Sequence, residues 1–257
     1  MTNFAFFSSG EPLIVALCAV IASGILRGYS GFGAALIIIP IFSNLYSPLV
    51  ALSFHVLIEM PSLLVLLPAG IRAYDRKLVN SSLLVLILAV PFGFYFISLI
   101  ETTYLRLFIG AFVIVSVYII WRGIPLEISR NKNFFQMACG ASGFCQGLMG
   151  LGGPPVVTTL ISRGDDNVTS RANIIVVMTV LLLASLCSQL YHGTVDVIPV
   201  TLALILFGPY LVSNQIGKWL FFKYPNDAYR KVTLVCLALI GLHTILSAID
   251  FFSRGKS

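Results

Sequence analysis

Charge is the scarcest thing in this chain. Only 10% of its 257 residues are Asp, Glu, Lys or Arg, and 58% are hydrophobic, whereas a soluble domain carries about 25% charged residues. That deficit excludes a soluble globular protein, and no hydrophilic stretch is long enough to form a separate soluble domain. Histidines number three and cysteines five. Cys18, Cys139, Cys145, Cys187 and Cys236 all lie in apolar runs without a CxxC spacing, so they read as small buried side chains. No His/Cys/Asp cluster has metal-ligand spacing, and neither a metal nor another cofactor is expected. No Walker lysine follows either glycine cluster, which argues against ATP-driven transport by this chain alone. No lysine or arginine precedes Arg27, so the N-terminal residues do not resemble a secretory signal with a charged n-region. The net charge of +6 comes from basic residues scattered singly through short loops, as in cytoplasmic loops of membrane proteins, and implies no nucleic-acid partner.

What is present is apolar sequence of membrane-spanning length, so a lipid bilayer is the expected surrounding. Segments near 48–69, 79–100, 104–121, 172–191, 197–217 and 232–252 read as ordinary spans, each near the ~20 residues that cross a bilayer core. Two longer stretches, 12–46 and 133–162, carry a glycine-rich motif near their middles. Each arm of about 15 residues makes ~22 Å of helix, short of a ~30 Å hydrocarbon core. If each stretch is a hairpin returning to its starting side, twelve Lys and Arg residues, from Arg72 to Lys231, fall on one side and three, Arg106, Arg254 and Lys256, on the other. If each crosses once, the split is eight to seven. The excess of basic residues in cytoplasmic loops selects the hairpin. Each half then crosses an odd net number of times, and the second half is inverted. The expected fold is an all-α polytopic membrane protein of two inverted repeats, 12–122 and 133–252. Each repeat is a Gly-motif hairpin (re-entrant or two short helices) plus three transmembrane helices. Weaker echoes pair Gly70 and Asp75 with Gly193 and Asp196, and Pro91-Phe92-Gly93 with Phe207-Gly208-Pro209.

The repeat rests on one motif that occurs twice. Ala22-Ser23-Gly24-Ile25-Leu26-Arg27-Gly28-Tyr29-Ser30-Gly31-Phe32-Gly33 recurs as Ala141-Ser142-Gly143-Phe144-Cys145-Gln146-Gly147-Leu148-Met149-Gly150-Leu151-Gly152, six of twelve positions identical at an offset of 119. Interrupted hydrophobic segments at corresponding places in two halves point to a transporter binding site. Gly24, Gly28 and Gly31, like Gly143, Gly147 and Gly150, are spaced four and three apart and would line one helix face for close packing. The endings at Gly33 and Gly152 can also unwind the helix. Fresh helices starting there would aim their positive N-termini at the turn and cradle an anion. The glycine positions admit both readings, and Gly28, Gly31, Gly33, Gly147, Gly150 and Gly152 are candidate substrate contacts.

Arg27 is the sharpest single residue. An arginine with apolar sequence on both sides costs at least ~2.5–3.5 kcal/mol within a bilayer and marks a functional site by default. Its planar fork suits the oxygens of a sulfonate or carboxylate; the alternative is a structural arginine bonded to backbone carbonyls at the turn. Gln146, its counterpart in the second copy, offers neutral donors. His55 and Glu59, at i and i+4, share a helix face that Pro61 can kink. They are candidates for carrying a coupling proton or for fastening helices; their counterparts Ile174 and Met178 are apolar. Asn173, near the start of its span, is a candidate substrate contact. Thr158, Thr159, Tyr210, Asn214 and Gln215 read as helix–helix contacts, and Arg163, Asp165, Asp166 and Arg171 as solvated loop charges.

Gly28-Tyr29-Ser30-Gly31-Phe32-Gly33 running into Ile38-Ile39-Pro40, and Gly147-Leu148-Met149-Gly150-Leu151-Gly152-Gly153-Pro154, resemble the TauE/SafE family in motif, in two-half organisation and over nearly the whole length. The first copy continues with Ala34-Ala35 where that family usually continues with glycine. The resemblance implies a permease of the bacterial inner membrane that moves a small anion, sulfite or an organosulfonate such as sulfoacetate, by alternating access. Two rivals come from other classes. A passive anion channel would use the same meeting of hairpins. A rhomboid-like serine protease would use Gly28-Tyr29-Ser30-Gly31 with His55, His192 or His243 as base, yet the second copy replaces the serine with Met149 and keeps the glycines. A transporter rather than an enzyme is therefore expected. The oligomeric state, a homodimer included, is left open.

Overall fold

The structure, a computed structural model, describes residues 10–97, 99–122 and 131–223. Among them every regular element is helical: α1 (Gly10–Ser30), α2 (Ala34–Leu45), α3 (Pro48–Ala73), α4 (Arg76–Asn80), α5 (Leu83–Ile97), α6 (Thr102–Arg122), α7 (Lys132–Met149), α8 (Gly153–Ser162), α9 (Asn167–Tyr191) and α10 (Val197–Lys223). α1, α3, α6, α9 and α10 are long and apolar enough to cross a membrane, and the chain is a multi-pass membrane protein. Its outer faces are apolar as hydrocarbon demands: on α5, exposed Leu84, Leu88, Phe92 and Tyr95 form a stripe at helical spacing.

The spans expected from sequence largely coincide with helices, with differences at their caps. Asp75 accepts from the backbone N–H groups of Lys77 and Leu78 and so starts a separate short α4, which delays α5 to Leu83. Asp166 caps α9 through Val168 and Thr169, so α9 begins before the apolar run. α10 continues to Lys223. The segment expected at 232–252 lies outside the described residues.

The glycine hairpins have unequal arms. α1 has 21 residues and α7 18, about 31 and 27 Å of helix, whereas α2 has 12 and α8 10, about 18 and 15 Å. The short arms are cut by the next start signal. Ser47 caps α3 by accepting from Val50 N, with Pro48 behind it, and Gly164, at φ 72°, turns the chain after α8. Neither short arm can cross a bilayer core; each folds back along its long arm only part of the way.

Two helix pairings dominate: α1 with α10 and α5 with α7. They are counterparts, residue by residue. A Cβ at Gly28 would strike the carbonyl oxygen of Asn214, and one at Gly147 that of Val90. Gly24 meets the carbonyl of Tyr210, as Gly143 meets that of Leu86. In return Gly217 faces the carbonyl of Ile25, and Gly93 that of Phe144. Motif residues are related by an offset of 119, and their partners on α5 and α10 by 124. The helix before each glycine turn thus packs backbone-to-backbone on a helix distant in sequence, α1 on α10 and α7 on α5. This corrects one echo: the counterpart of Gly93 is Gly217, and Gly208 faces open space. The other echo survives only in its aspartates, since Asp196 accepts from Val197 N at the start of α10 while Gly70 lies inside α3 against Ile175.

α3 and α9, which occupy the same place in the two halves, run antiparallel. Near the end of α3, Asp75 N–H donates to Asn173 Oδ1 at the start of α9 (2.8 Å); near the start of α3, Ser53 Oγ donates to the carbonyl of Thr194, just past the end of α9 (3.3 Å).

Backbone contact at these glycines predicts a sharp contrast. Gly147→Ala and Gly217→Ala should each destabilise the protein by about 1–3 kcal/mol through overpacking. Gly208→Ala, on an open helix surface, should be neutral or stabilising by up to about 1 kcal/mol. Thermal unfolding of the detergent-purified variants checks this; equal melting temperatures would contradict the packing described.

Candidate functional site

Each turn depends on a residue that only glycine supplies cheaply. Gly33, between α1 and α2, has φ 93°, and Gly150, after α7, φ 73°; both lie in the left-handed region that costs other residues roughly 1–2 kcal/mol. Each turn is then fastened by the motif residue that differs between copies. Arg27 Nη1 donates to the carbonyl of Gly31. Gln146 Oε1 accepts from Gly152 N (3.1 Å). One repeat position thus fastens its own turn in both halves, through a donor in one and an acceptor in the other.

A second arginine closes the first turn from outside. Arg171 Nη2 donates to the carbonyl of Gly28 (2.9 Å) and Nε to that of Tyr29 (3.3 Å), and its guanidinium lies 4.5 Å above the Phe221 ring. These carbonyls end α1, where a helix presents unpaired acceptors and its negative pole. The sequence reading of Arg171 as a solvated loop charge is corrected here: the side chain is buried. Of that loop, Arg163 pairs with Asp165 at 3.1 Å, and Asp166 caps α9. The Thr169 hydroxyl and backbone N–H hold the Asp166 carboxyl below the usual carboxylate range.

Between the two turns lies a narrow cavity lined by Arg27, Phe32, Gly33, the first residues of α2, His55, Glu59, Gln146, Gly153, Pro154 and, on α9, Met178, Leu181 and Leu182. Its free space is about that of one or two water molecules. Arg27 is 2% exposed and Glu59 2%, and Arg27 Nε meets Glu59 Oε2 at 2.9 Å. The other carboxylate oxygen accepts from the Tyr210 hydroxyl (2.9 Å) and stands 4.0 Å from His55 Nε2. Four buried polar atoms of this cluster make no hydrogen bond: Arg27 Nε, which has only its ionic contact with Glu59, and Arg27 Nη2, Gln146 Nε2 and His55 Nδ1. Buried polar groups are normally paired, so orphans of this kind mark a place where something else binds.

The two helix N-termini at the cavity differ. Neither has a side-chain cap. Pro154 and Pro155 remove two N–H groups from the first turn of α8, and Ser142 Oγ accepts from Val156 N (2.9 Å). α2 begins Ala34-Ala35-Leu36, with N–H groups intact, and these residues line the cavity. The positive end of α2 is therefore the better anion partner.

Of the residues singled out from sequence, the structure brings Arg27, Gly33, Gln146, His55 and Glu59 to this cavity. Gly152 adjoins it through its bond to Gln146. Gly28 and Gly147 face α10 and α5, Gly31 faces Ile175 and Gly150 faces Ile39. Asn173 is buried and holds Asp75 N–H. Sequence reasoning paired Glu59 with His55 and missed Arg27 as its partner, although an acid and a base each deep in an apolar run are natural counter-charges. Tyr210 was read as a helix–helix contact, which it also is.

A family model described as Sulfite exporter TauE/SafE matches residues 15–244. No curated protein and no solved structure matches the chain.

The ion pair predicts non-additive substitutions. Arg27→Gln or Glu59→Gln alone should cost about 3–5 kcal/mol, because each strands a buried charge, and the double variant should cost clearly less than the sum. A double-mutant cycle on thermal or denaturant unfolding measures the coupling; additive costs would mean the two groups do not pair.

Proposed function

The chain belongs to the sulfite exporter TauE/SafE family, and from that premise we propose that it is a secondary transporter whose substrate, a small oxyanion such as sulfite or an organosulfonate, binds between the two glycine turns. The family is one of membrane transporters rather than enzymes, and it implies a small anionic substrate. The observation that carries the site is the pair of unpaired buried donors, Arg27 Nη2 and Gln146 Nε2. They occupy the same position in the two motifs, and both side chains line the same cavity. A planar or tetrahedral oxyanion placed there would accept from both and face the N-terminus of α2, so charge-assisted bonds replace its hydration shell. Arg27, Gln146 and Gly33 contact the substrate in this reading; Gly31, Gly150 and Gly152 shape the turns, Gly28 and Gly147 seat α1 on α10 and α7 on α5, and Asn173 ties α3 to α9.

We read residues 12–122 and 133–252 as inverted repeats. The exchanged α1–α10 and α5–α7 packing and the antiparallel α3 and α9 support this. Alternating access is the mechanism this supports: the cavity is narrow, and the α1–α10 and α5–α7 pairs, each locked by backbone contact at glycines, can rock as bodies around it. That narrowness favours a carrier over an open channel. The serine-protease reading loses support as well, because the Ser30 hydroxyl is engaged by the carbonyls of Leu26 (2.7 Å) and Phe32 (2.8 Å). The bacterial inner membrane is the proposed location.

Counterflow in proteoliposomes with sulfite, sulfoacetate, methanesulfonate, taurine and small carboxylates tests the site. One class of anion should show saturable exchange. Gln146→Ala leaves the ion pair intact and should weaken apparent affinity by roughly 5- to 30-fold, the loss of about 1–2 kcal/mol of hydrogen bonding. Unchanged affinity would move the site elsewhere, and conductance far above carrier turnover would favour a channel.

A further inference from the structure

The resident partner of Arg27 is itself an anion. Glu59 already holds the Nε edge of the guanidinium, and a substrate anion arriving beside it would put two negative charges on one arginine in a narrow buried site. Like charges a few ångströms apart in a buried site repel, and each disfavours the ionised form of the other. A proton taken up on Glu59 as the anion binds keeps the site neutral and frees Arg27 for the anion. We propose, building on the transport reading above, that Glu59 is an internal competitor for Arg27, and that each substrate anion therefore travels with one proton carried on the Glu59 carboxyl.

The surroundings of Glu59 fit that task. Arg27 meets it from α1, Tyr210 from α10 and His55 from its own helix. α9 offers only Met178, Leu181 and Leu182 to the cavity, α2 offers Ala34, Ala35 and Leu36, and Gln146 on α7 is neutral. Arg171 is engaged on the carbonyls of the first turn, and Arg106 on α6 does not line the cavity. Tyr210 donates to Glu59 Oε1 in either protonation state, so one oxygen keeps its partner while Oε2, freed from Arg27, carries the proton. His55, with Nε2 4.0 Å from Oε1 and Nδ1 unpaired, is the titratable side chain nearest the carboxyl. The exchange balances: empty, the site holds Arg27⁺ and Glu59⁻; loaded, it holds Arg27⁺, the anion and neutral Glu59. The proton enters from the compartment that supplies the anion and leaves with it. Met178 and Ile174 stand at the positions of Glu59 and His55 in the second half, so the inverted half duplicates the donor to the anion but not the proton carrier. One proton per anion, rather than two, is the result, and the direction of net movement is set by the two gradients together.

The test uses wild-type proteoliposomes carrying a trapped pH-sensitive dye. The probe is methanesulfonate where it exchanges in counterflow, because it is a monoanion at every working pH; where only sulfoacetate or sulfite exchanges, each a dianion at alkaline pH, one proton per anion is still expected, with the second charge left on the substrate. Adding the anion outside should acidify the lumen. An inward proton gradient should accumulate the anion by about tenfold per pH unit with membrane potential clamped to zero. Glu59→Gln, which mimics the protonated acid, should bind anion with an affinity independent of pH and lose gradient-driven accumulation. If that variant does not fold, the wild-type proton flux alone decides. Saturable exchange with no proton movement overturns the coupling and leaves the transport reading standing. Absence of exchange for every anion overturns the transport reading and the coupling with it.

Discussion

A buried arginine must have a counter-charge, and the centre of this molecule is arranged around the one it has. Arg27 and Glu59 come from different helices, and Tyr210 adds a third. Their pairing fixes α1, α3 and α10 against one another at the depth of the glycine turns. An isolated charge there would be prohibitive; a pair with further hydrogen bonds is tolerable but is not a strong source of stability. Arg27 keeps Nη2 without a hydrogen-bond partner beside a cavity that a neutral donor, Gln146, reaches from the opposite hairpin.

The glycines make that placement possible. Close backbone contact of α1 with α10, and of α7 with α5, depends on residues without a Cβ, and it welds each hairpin's long arm to the other half of the chain. The short arms, α2 and α8, cannot cross a bilayer core, and their first residues line the cavity. The result is an exchange of helices, α1 with α10 and α7 with α5, around the cavity between the two turns.

Much of this was legible in sequence. The doubled motif, the two hairpins and the apolar spans follow from periodicity, glycine spacing and the distribution of basic residues, and the matched structure of α1–α2 and α7–α8 agrees with them. Arg27, Gln146, His55 and Glu59 stood out because polar groups in apolar runs are expensive. Three things were not legible. The unequal hairpin arms come from Ser47 and Gly164, local start and stop signals that hydropathy does not register. The pairing of Arg27 with Glu59, and of Gly93 with Phe144, joins residues distant in sequence, and no one-dimensional period encodes it. Arg171 looked like a loop charge because it sits four residues into α9, and only the three-dimensional approach of α1 brings helix-ending carbonyls to it.

The most direct measurement is calorimetric titration of a sulfonate into the purified protein in buffers of different ionisation enthalpy. The sulfonate has no proton of its own to exchange near neutrality, so any proton taken up comes to the protein. If the substrate displaces Glu59 from Arg27, binding should take up about one proton per anion, and the uptake should vanish in Glu59→Gln. Binding with no proton uptake in the wild type would contradict the account, because the anion would then sit beside an ion pair that had not opened.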